Sequence, residues 1–186
     1  MRISGGELRG RIIQGPAKGT RPALDRVREA VFSSLGECVY GARVLDLFAG
    51  SGAYGLEAWS RGAETLCWVE QDAQTVQVLR NNVHTLCGGE TATCRIAQAD
   101  VWRWIARARS LEIDLIFADP PYSCADIEQQ TERLLKTIAS TNLLRTGGLL
   151  VYEQRKRDVV PELDDWTLLR NRSYGRTRSL IYRRGS

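Results

Sequence analysis

A chain of 186 residues has the length of one domain, able to bury about 70% of the surface its unfolded form exposes. Its 43% hydrophobic and 26% charged residues suit a soluble globular protein. No run approaches the roughly 18–20 apolar residues of a membrane span, and Met1-Arg2-Ile3-Ser4-Gly5-Gly6 opens no apolar export signal, so no membrane contact and a cytoplasmic location are expected. Net charge is +4, unevenly spread: residues 1–28 hold seven basic groups against two acidic, and residues 155–186 nine against four. The stretch between them carries ten basic against sixteen acidic. A basic head and tail around an acidic centre point to a polyanion gripped by the two ends. The five cysteines (Cys38, Cys67, Cys87, Cys94, Cys124) make no C-x-x-C pair, so they are read as small, reduced, apolar residues rather than metal ligands.

In chain order, Arg2–Ile13 reads as a small hairpin around Ser4-Gly5-Gly6, followed by a loop over residues 15–24. A helix is predicted from about Arg26, with Asp25 as its N-cap and Val27, Ala30, Val31, Ser34 and Leu35 on one face. Arg43–Phe48 is a buried strand, then a Gly-rich turn, then a helix to about Arg61 with Gly62 as its stop. Thr65–Glu70 is a second strand, and a helix runs from an Asp72 cap to about Leu86. Thr93–Gln98 is a third strand, Val101–Arg109 a short helix, Ile113–Ala118 a fourth strand and Ile127–Ala139 a helix. Gly147-Gly148 breaks the chain before a strand at Leu149–Glu153; Trp166–Arg170 and Ser179–Arg183 are two more, joined by a turn at Tyr174-Gly175. Such alternation predicts right-handed βαβ units, a mostly parallel sheet covered on both faces, and an antiparallel strand from the terminal pair. The division expected is one domain: a hairpin, loop and helix extension over 1–36, and an α/β core over 43–186.

Two segments carry chemistry. The first, Asp46-Leu47-Phe48-Ala49-Gly50-Ser51-Gly52-Ala53-Tyr54-Gly55, lies between the first strand and its helix. Gly50-x-Gly52-x-x-Gly55 matches a dinucleotide fingerprint, and Glu70, at the end of the second strand, can accept bonds from ribose hydroxyls. That much fits either NAD or S-adenosylmethionine. Asp46 would oppose a pyrophosphate but suits a cationic amino acid moiety, and Asp100, next to Val101, can take an adenine amino group while also capping a helix. The candidate cofactor residues are therefore Asp46, Phe48, Ala49, Gly50, Ser51, Gly52, Glu70, Asp100 and Val101.

The second segment is Asp119-Pro120-Pro121-Tyr122, which closes the fourth strand. An aromatic amine is a poor nucleophile because its lone pair is delocalised into the ring. The Asp119 carboxylate and the Pro120 carbonyl can accept both N–H bonds and turn the lone pair outward. Prolines hold the loop rigid, and Tyr122 offers a face on which an unstacked base can rest. With a carboxylate's ordinary pKa near 4, Asp119 would position the amine rather than deprotonate it beforehand. These four residues are the candidate catalytic set. His84, the lone histidine, reads as a helix surface residue, and Trp102 and Trp104, two apart on a helix, as packing residues on different faces.

The chain resembles the RsmD family, bacterial guanine-N2 methyltransferases of small-subunit (16S) ribosomal RNA. The likeness is carried by Met1-Arg2-Ile3, Gly5-Gly6, Arg9-Gly10-Arg11, Arg21-Pro22 and Asp25-Arg26-Val27-Arg28-Glu29. It continues through Leu45 to Gly52, Gly55-Leu56-Glu57-Ala58, Ser60-Arg61-Gly62-Ala63, Glu70, Asp119–Tyr122, Gly147-Gly148 and Tyr174-Gly175. The resemblance implies a seven-stranded class I methyltransferase fold with an antiparallel last strand, S-adenosylmethionine as methyl donor and S-adenosylhomocysteine as product. It implies a monomer acting on RNA within an assembled or assembling 30S particle, with Arg2, Arg9, Arg11, Arg21, Arg26 and Arg28 as RNA contacts. The family's Arg-Pro-Thr-Thr-Asp is Arg21-Pro22-Ala23-Leu24-Asp25 here, so two hydroxyls are absent. Three other readings stand beside it: an adenine-N6 methyltransferase of DNA or RNA using the same motif, an NAD-dependent oxidoreductase, and a non-catalytic RNA-binding factor.

Overall fold

The computed structural model describes residues 1–15, 22–108, 111–121 and 127–185, with the backbone alone at 22–24 and 127–129. Helix α1 (Pro22–Leu35) leads through a short 3-10 turn into strand β1 (Arg43–Leu47), α2 (Ala53–Ser60), β2 (Thr65–Glu70), α3 (Ala73–Cys87) and β3 (Cys94–Gln98). Then come α4 (Val101–Arg107), β4 (Ile113–Ala118), α5 (Ile127–Thr141), β5 (Leu144–Arg155), β6 (Trp166–Tyr174) and β7 (Thr177–Arg184). The seven strands form one sheet in the order β3-β2-β1-β4-β5-β7-β6. The first five are parallel, and β7 runs antiparallel to both β5 and β6. The order reverses between β1 and β4, the place where open parallel sheets leave a crevice at the carboxyl ends of their strands.

Strand alternation sorts the apolar side chains into two cores. Leu115 and Phe117 of β4 and Val151 of β5 face α1, α2 and α3, meeting Phe32, Leu56 and Leu79. Ile116, Ala118, Leu150 and Tyr152 face α4 and α5, meeting Val101, Ile105, Leu134 and Ile138. Asp72 and Asp100 cap α3 and α4, accepting the backbone N–H of Thr75 and of Arg103.

Three boundaries differ from expectation. Helix α1 starts at Pro22, because proline is tolerated in a first turn where its missing N–H has no partner to lose. Asp25 therefore sits inside that turn, 3.0 Å from Arg28, rather than capping it. Strand β5 begins at Leu144 and runs through Gly147-Gly148; the glycines absorb a register shift against β4 instead of ending the strand. Strands β6 and β7 extend almost to their shared turn, since each continues to pair with the other. The expected loop falls mostly outside the described residues. The N-terminal hairpin is small, joined by one bridge between Arg2 and Ile12.

That hairpin is held by α2. Glu57 has no solvent exposure, and its carboxylate accepts the Ser4 backbone N–H (2.9 Å) and hydroxyl (2.7 Å) and the Gly5 N–H (3.0 Å). It also accepts Arg28 Nε (3.3 Å) and Arg61 Nη2 (2.8 Å). Burial alone would raise its pKa, but the Ser4 donors, Arg61 and Arg28 outweigh it and hold the carboxyl below its ordinary range. One turn on, Ser60 Oγ bonds the Gly5 carbonyl (2.6 Å) and accepts the Leu8 N–H (2.9 Å). Glu57→Ala leaves the Arg28 guanidinium buried without its carboxylate partner in α2, and should cost about 3–5 kcal/mol in urea denaturation. A loss below about 1 kcal/mol, the worth of an exposed pair, would show that Glu57 does not hold the hairpin.

Candidate active site

The turn after β1 is shaped by backbone conformations that few side chains allow. Phe48 (φ 56°), Gly50 (φ 56°) and Gly52 (φ 83°) are all left-handed, and a non-glycine residue there stores strain of about 1–3 kcal/mol. Gly55 has a different reason to be glycine: a Cβ there would lie 2.1 Å from Trp68 Nε1, so α2 could not sit this close to β2. The close approach lets the Gly55 N–H reach the buried Asp46 carboxylate at 2.9 Å. Glu70 accepts the Gly50 N–H (2.9 Å) with one oxygen and those of Gln71 and Asp72 with the other. From behind, the buried Asn82 amide bonds the carbonyls of Ser51 (3.0 Å) and Gln14 (2.9 Å), tying the turn to the N-terminal segment.

A cavity of ≈ 590 Å³ opens at the carboxyl ends of β1, β2, β4 and β5, a volume suited to a small-molecule ligand. It brings together Asp46, Phe48, Ala49, Gly50, Ser51, Glu70, Asp100, Val101, Asp119, Pro120 and Pro121, all expected from sequence. Gly52 stands behind the wall, packed toward Leu79. Tyr122 and Arg21 lie outside the described residues. Trp102 also lines the cavity, edge-on to Phe48 and capped by Arg133, 4.1 Å from its ring centroid.

Arg2, Arg9, Arg11 and Arg26 are exposed. Arg28 is not: it is 2% exposed, spanning Glu57, Asp25 and the Arg2 carbonyl (2.6 Å). It was expected among the RNA contacts, but its helical position turns it inward, where its charge is committed to holding the hairpin. Exposed phosphate contact is therefore withdrawn for Arg28.

Sequence reasoning did not single out Glu153 or Tyr54, although both line the cavity. Tyr54 stacks on Phe117 (centroids 4.9 Å apart), and its hydroxyl donates to Glu153 Oε1. Glu153 is 2% exposed, and its Oε2 has no hydrogen-bond partner among the described residues. Only the register betrays it: Ala118 pairs with Tyr152, so the next positions, Asp119 and Glu153, stand side by side on the face that carries Phe117 and Val151. That pairing is not readable from either strand alone.

Among the described residues, the cavity wall holds six carboxyl groups (Asp46, Glu70, Asp72, Asp100, Asp119, Glu153) against one guanidinium, Arg28. Burial pushes Asp46 well above its ordinary value, and the Asp119 and Glu70 charges add to that. Burial lifts Asp119 to about 6, above the ordinary value assumed from sequence. Burial and the Asp119 charge lift Glu153 to about 8. Such a wall disfavours a pyrophosphate and favours a ligand that is cationic and rich in N–H donors. S-adenosylmethionine has both properties, and the residues fit it better than NAD.

A family model described as conserved hypothetical protein 95 matches residues 1–183. The chain is 32% identical to ribosomal RNA small subunit methyltransferase D of Escherichia coli strain K12, covering 99% of this chain and 90% of that one. It is 35% identical to YlbH of Bacillus subtilis strain 168, covering 99% of each. The solved structure of yhhF from Escherichia coli superposes with a TM-score of 0.86 at 31% identity, covering 100% of this chain and 98% of that one. The TTHA0928 protein of Thermus thermophilus gives a TM-score of 0.77 at 32% identity, covering 97% and 98%.

Asp119 is more acidic unfolded than folded, so its contribution to stability is full below pH 3.8 and lost as pH rises through about 6. Asp119→Asn should therefore raise the Tm of the ligand-free protein at pH 8 by roughly 2–4 °C, the shift expected for about 1 kcal/mol in a chain of this size. At pH 5, between the unfolded and folded pKa values, the shift should be about half that at pH 8, and it should vanish only below pH 3.8, where the carboxyl is protonated in both states. An equal shift at both pH values would exclude the buried charge as its cause.

Proposed function

The chain belongs to the RsmD family of ribosomal RNA small subunit methyltransferases, and from that premise we propose that it methylates the exocyclic N2 amine of a guanine in small-subunit ribosomal RNA. It is a methyltransferase by that family membership, and the acidic cavity supports S-adenosylmethionine as its methyl donor, with S-adenosylhomocysteine as product. The observation that carries the reading is the acidic cavity where Asp119-Pro120-Pro121 closes β4 opposite the Gly-rich turn of β1.

S-adenosylmethionine supplies a methyl group made electrophilic by its sulfonium centre. Asp46 and the backbone of Phe48–Ser51 would hold the cationic amino acid portion, Glu70 the ribose hydroxyls, and Asp100 with Val101 the adenine. Asp100 can do this while capping α4, because the Arg103 N–H occupies only one of its oxygens. Asp119 and the Pro120 carbonyl accept the two N–H bonds of the target amine, drawing its lone pair out of the ring and toward the methyl group. On methylation the nitrogen would shed one proton. Asp119, lifted toward neutrality by burial, is a better acceptor of that proton than an ordinary carboxylate. Tyr122 supplies the stacking face for the base.

Outside the cavity, the exposed Arg2, Arg9, Arg11 and Arg26, with the basic C-terminal strands, form the arms that hold RNA phosphates; Arg21 is proposed from the sequence as a further RNA contact. The extension over 1–36 and the core over 43–186 act as one unit, since Met1 and Arg28 reach the cavity wall. The substrate is an assembled or assembling small-subunit particle, engaged by a monomer in the cytoplasm.

Purified protein with labelled S-adenosylmethionine should methylate small-subunit particles from cells lacking the modification, and mass spectrometry should identify N2-methylguanosine. N6-methyladenosine would replace this reading with the adenine alternative. Asp119→Ala should lower turnover by about 10²–10³-fold while binding of S-adenosylhomocysteine, followed by calorimetry, stays within a few-fold. Substituting Arg9 and Arg11 together should weaken particle binding and flatten its dependence on log salt by roughly 1–2 units. An unchanged slope would remove the hairpin from the RNA interface.

A further inference from the structure

Glu153 has no task in the chemistry described above, yet one of its carboxyl oxygens is buried without a donor among the described residues. Its Oε1 accepts the Tyr54 hydroxyl, while Oε2, on a side chain only 2% exposed, meets no donor among the described residues. Leaving such an acceptor unmade costs about 1–3 kcal/mol, more when it is charged. Its place is defined by the sheet. Asp119 and Glu153 follow the paired Ala118 and Tyr152 on adjacent parallel strands, so they share a face and stand about one strand spacing, roughly 4.8 Å, apart. Tyr54 packs against both Phe32 and Phe117 in a cluster of three rings, which fixes the direction of its hydroxyl and so of the carboxyl.

Two acceptors side by side call for two neighbouring donors on one base edge. Three RNA bases carry an exocyclic amine, but the ring nitrogens beside those amines differ. The amines of adenine and cytosine lie next to bare acceptor nitrogens on their pairing edges. The guanine amine lies next to N1–H, a donor. A carboxylate placed beside the amine-holding Asp119 therefore pairs with guanine and opposes a lone pair in adenine or cytosine.

We propose that Glu153 selects the base, its Oε2 accepting the N1–H of the guanine whose N2 amine Asp119 and Pro120 hold; the proposal rests on the guanine-N2 reading above. Burial and the neighbouring Asp119 charge outweigh the Tyr54 hydroxyl and the Arg28 charge and raise the Glu153 pKa to about 8 in the ligand-free protein, so the carboxyl is protonated at neutral pH until an N1–H donor at Oε2 favours its ionised form. Tyr54 is a positioning residue: its hydroxyl occupies Oε1 and leaves Oε2 to face the base.

The test compares two reconstituted small-subunit particles that differ only at the methylated nucleotide, one with guanine and one with 2-aminopurine. The second has the same amine but no N1–H. Wild-type protein should prefer guanine in kcat/KM by about 10²-fold or more, as sites built around a buried hydrogen bond reject analogues that lack it. Glu153→Gln, which keeps the shape and can turn an N–H toward the base, should lower kcat/KM on guanine and bring the two substrates within about tenfold of each other. Tyr54→Phe should narrow the preference less. Calorimetry should show S-adenosylhomocysteine binding unchanged in both variants, confirming a folded cofactor site. Equal wild-type rates on the two particles, or an unaltered preference in Glu153→Gln, would overturn the assignment while leaving guanine methylation standing. Wild-type activity on neither particle would overturn the guanine-N2 reading and this one with it.

Discussion

Parallel strands that end together force their last side chains into one small volume, and here those side chains are acids. Asp46, Glu70, Asp119 and Glu153 stand at the ends of four strands and meet at one cavity, with Arg28 the one guanidinium in its wall among the described residues. Each is deprived of water, lies near like charges, or both, and three of them are shifted upward in consequence. The fold carries this cost in the ligand-free state. The left-handed turn after β1, the glycine that lets α2 approach β2, and the rigid prolines after β4 all serve to keep the acids in place. A cationic, N–H-rich set of ligands relieves what the protein alone does not.

The same residue type is used in the opposite way on α2. Glu57 is as buried as Glu153, but backbone, hydroxyl and two guanidinium donors surround it, and it stays ionised. Full satisfaction makes it a structural hub, whereas an acceptor left open makes Glu153 a candidate reader of a ligand. The hub also joins the parts functionally. By fixing Ser4, Gly5 and Arg28, it ties the hairpin that carries the exposed Arg2, Arg9 and Arg11 to the core whose cavity Met1 helps to line.

Much of the fold was legible because its cues are local. Strand–helix alternation with short apolar runs predicted a parallel sheet, and Asp72 and Asp100 announced the helices they cap. The misplaced boundaries share a cause. Pro22 reads as a breaker until its place in a first turn makes it harmless, and Gly147-Gly148 reads as a break until pairing with β4 carries the strand through. Whether a proline or a glycine pair ends an element depends on what lies across from it, which the flanking residues do not encode.

The candidate site divides along the same line. Composition, charge and the two motifs by themselves determined that a Gly-rich turn and Asp119-Pro120-Pro121-Tyr122 close strands of one α/β sheet, and that their chemistry concerns an amine and a cationic donor. These are properties of contiguous residues. Only the tertiary structure decided that Arg28 turns inward, that Glu57 and Asn82 fasten the N-terminal segment to the core, and that Glu153 stands beside Asp119. Each of those facts depends on strand register or helix rotation between positions far apart in the chain. A buried carboxyl becomes a hub or an open acceptor according to how many donors its neighbours bring, and that number exists only once the chain has folded.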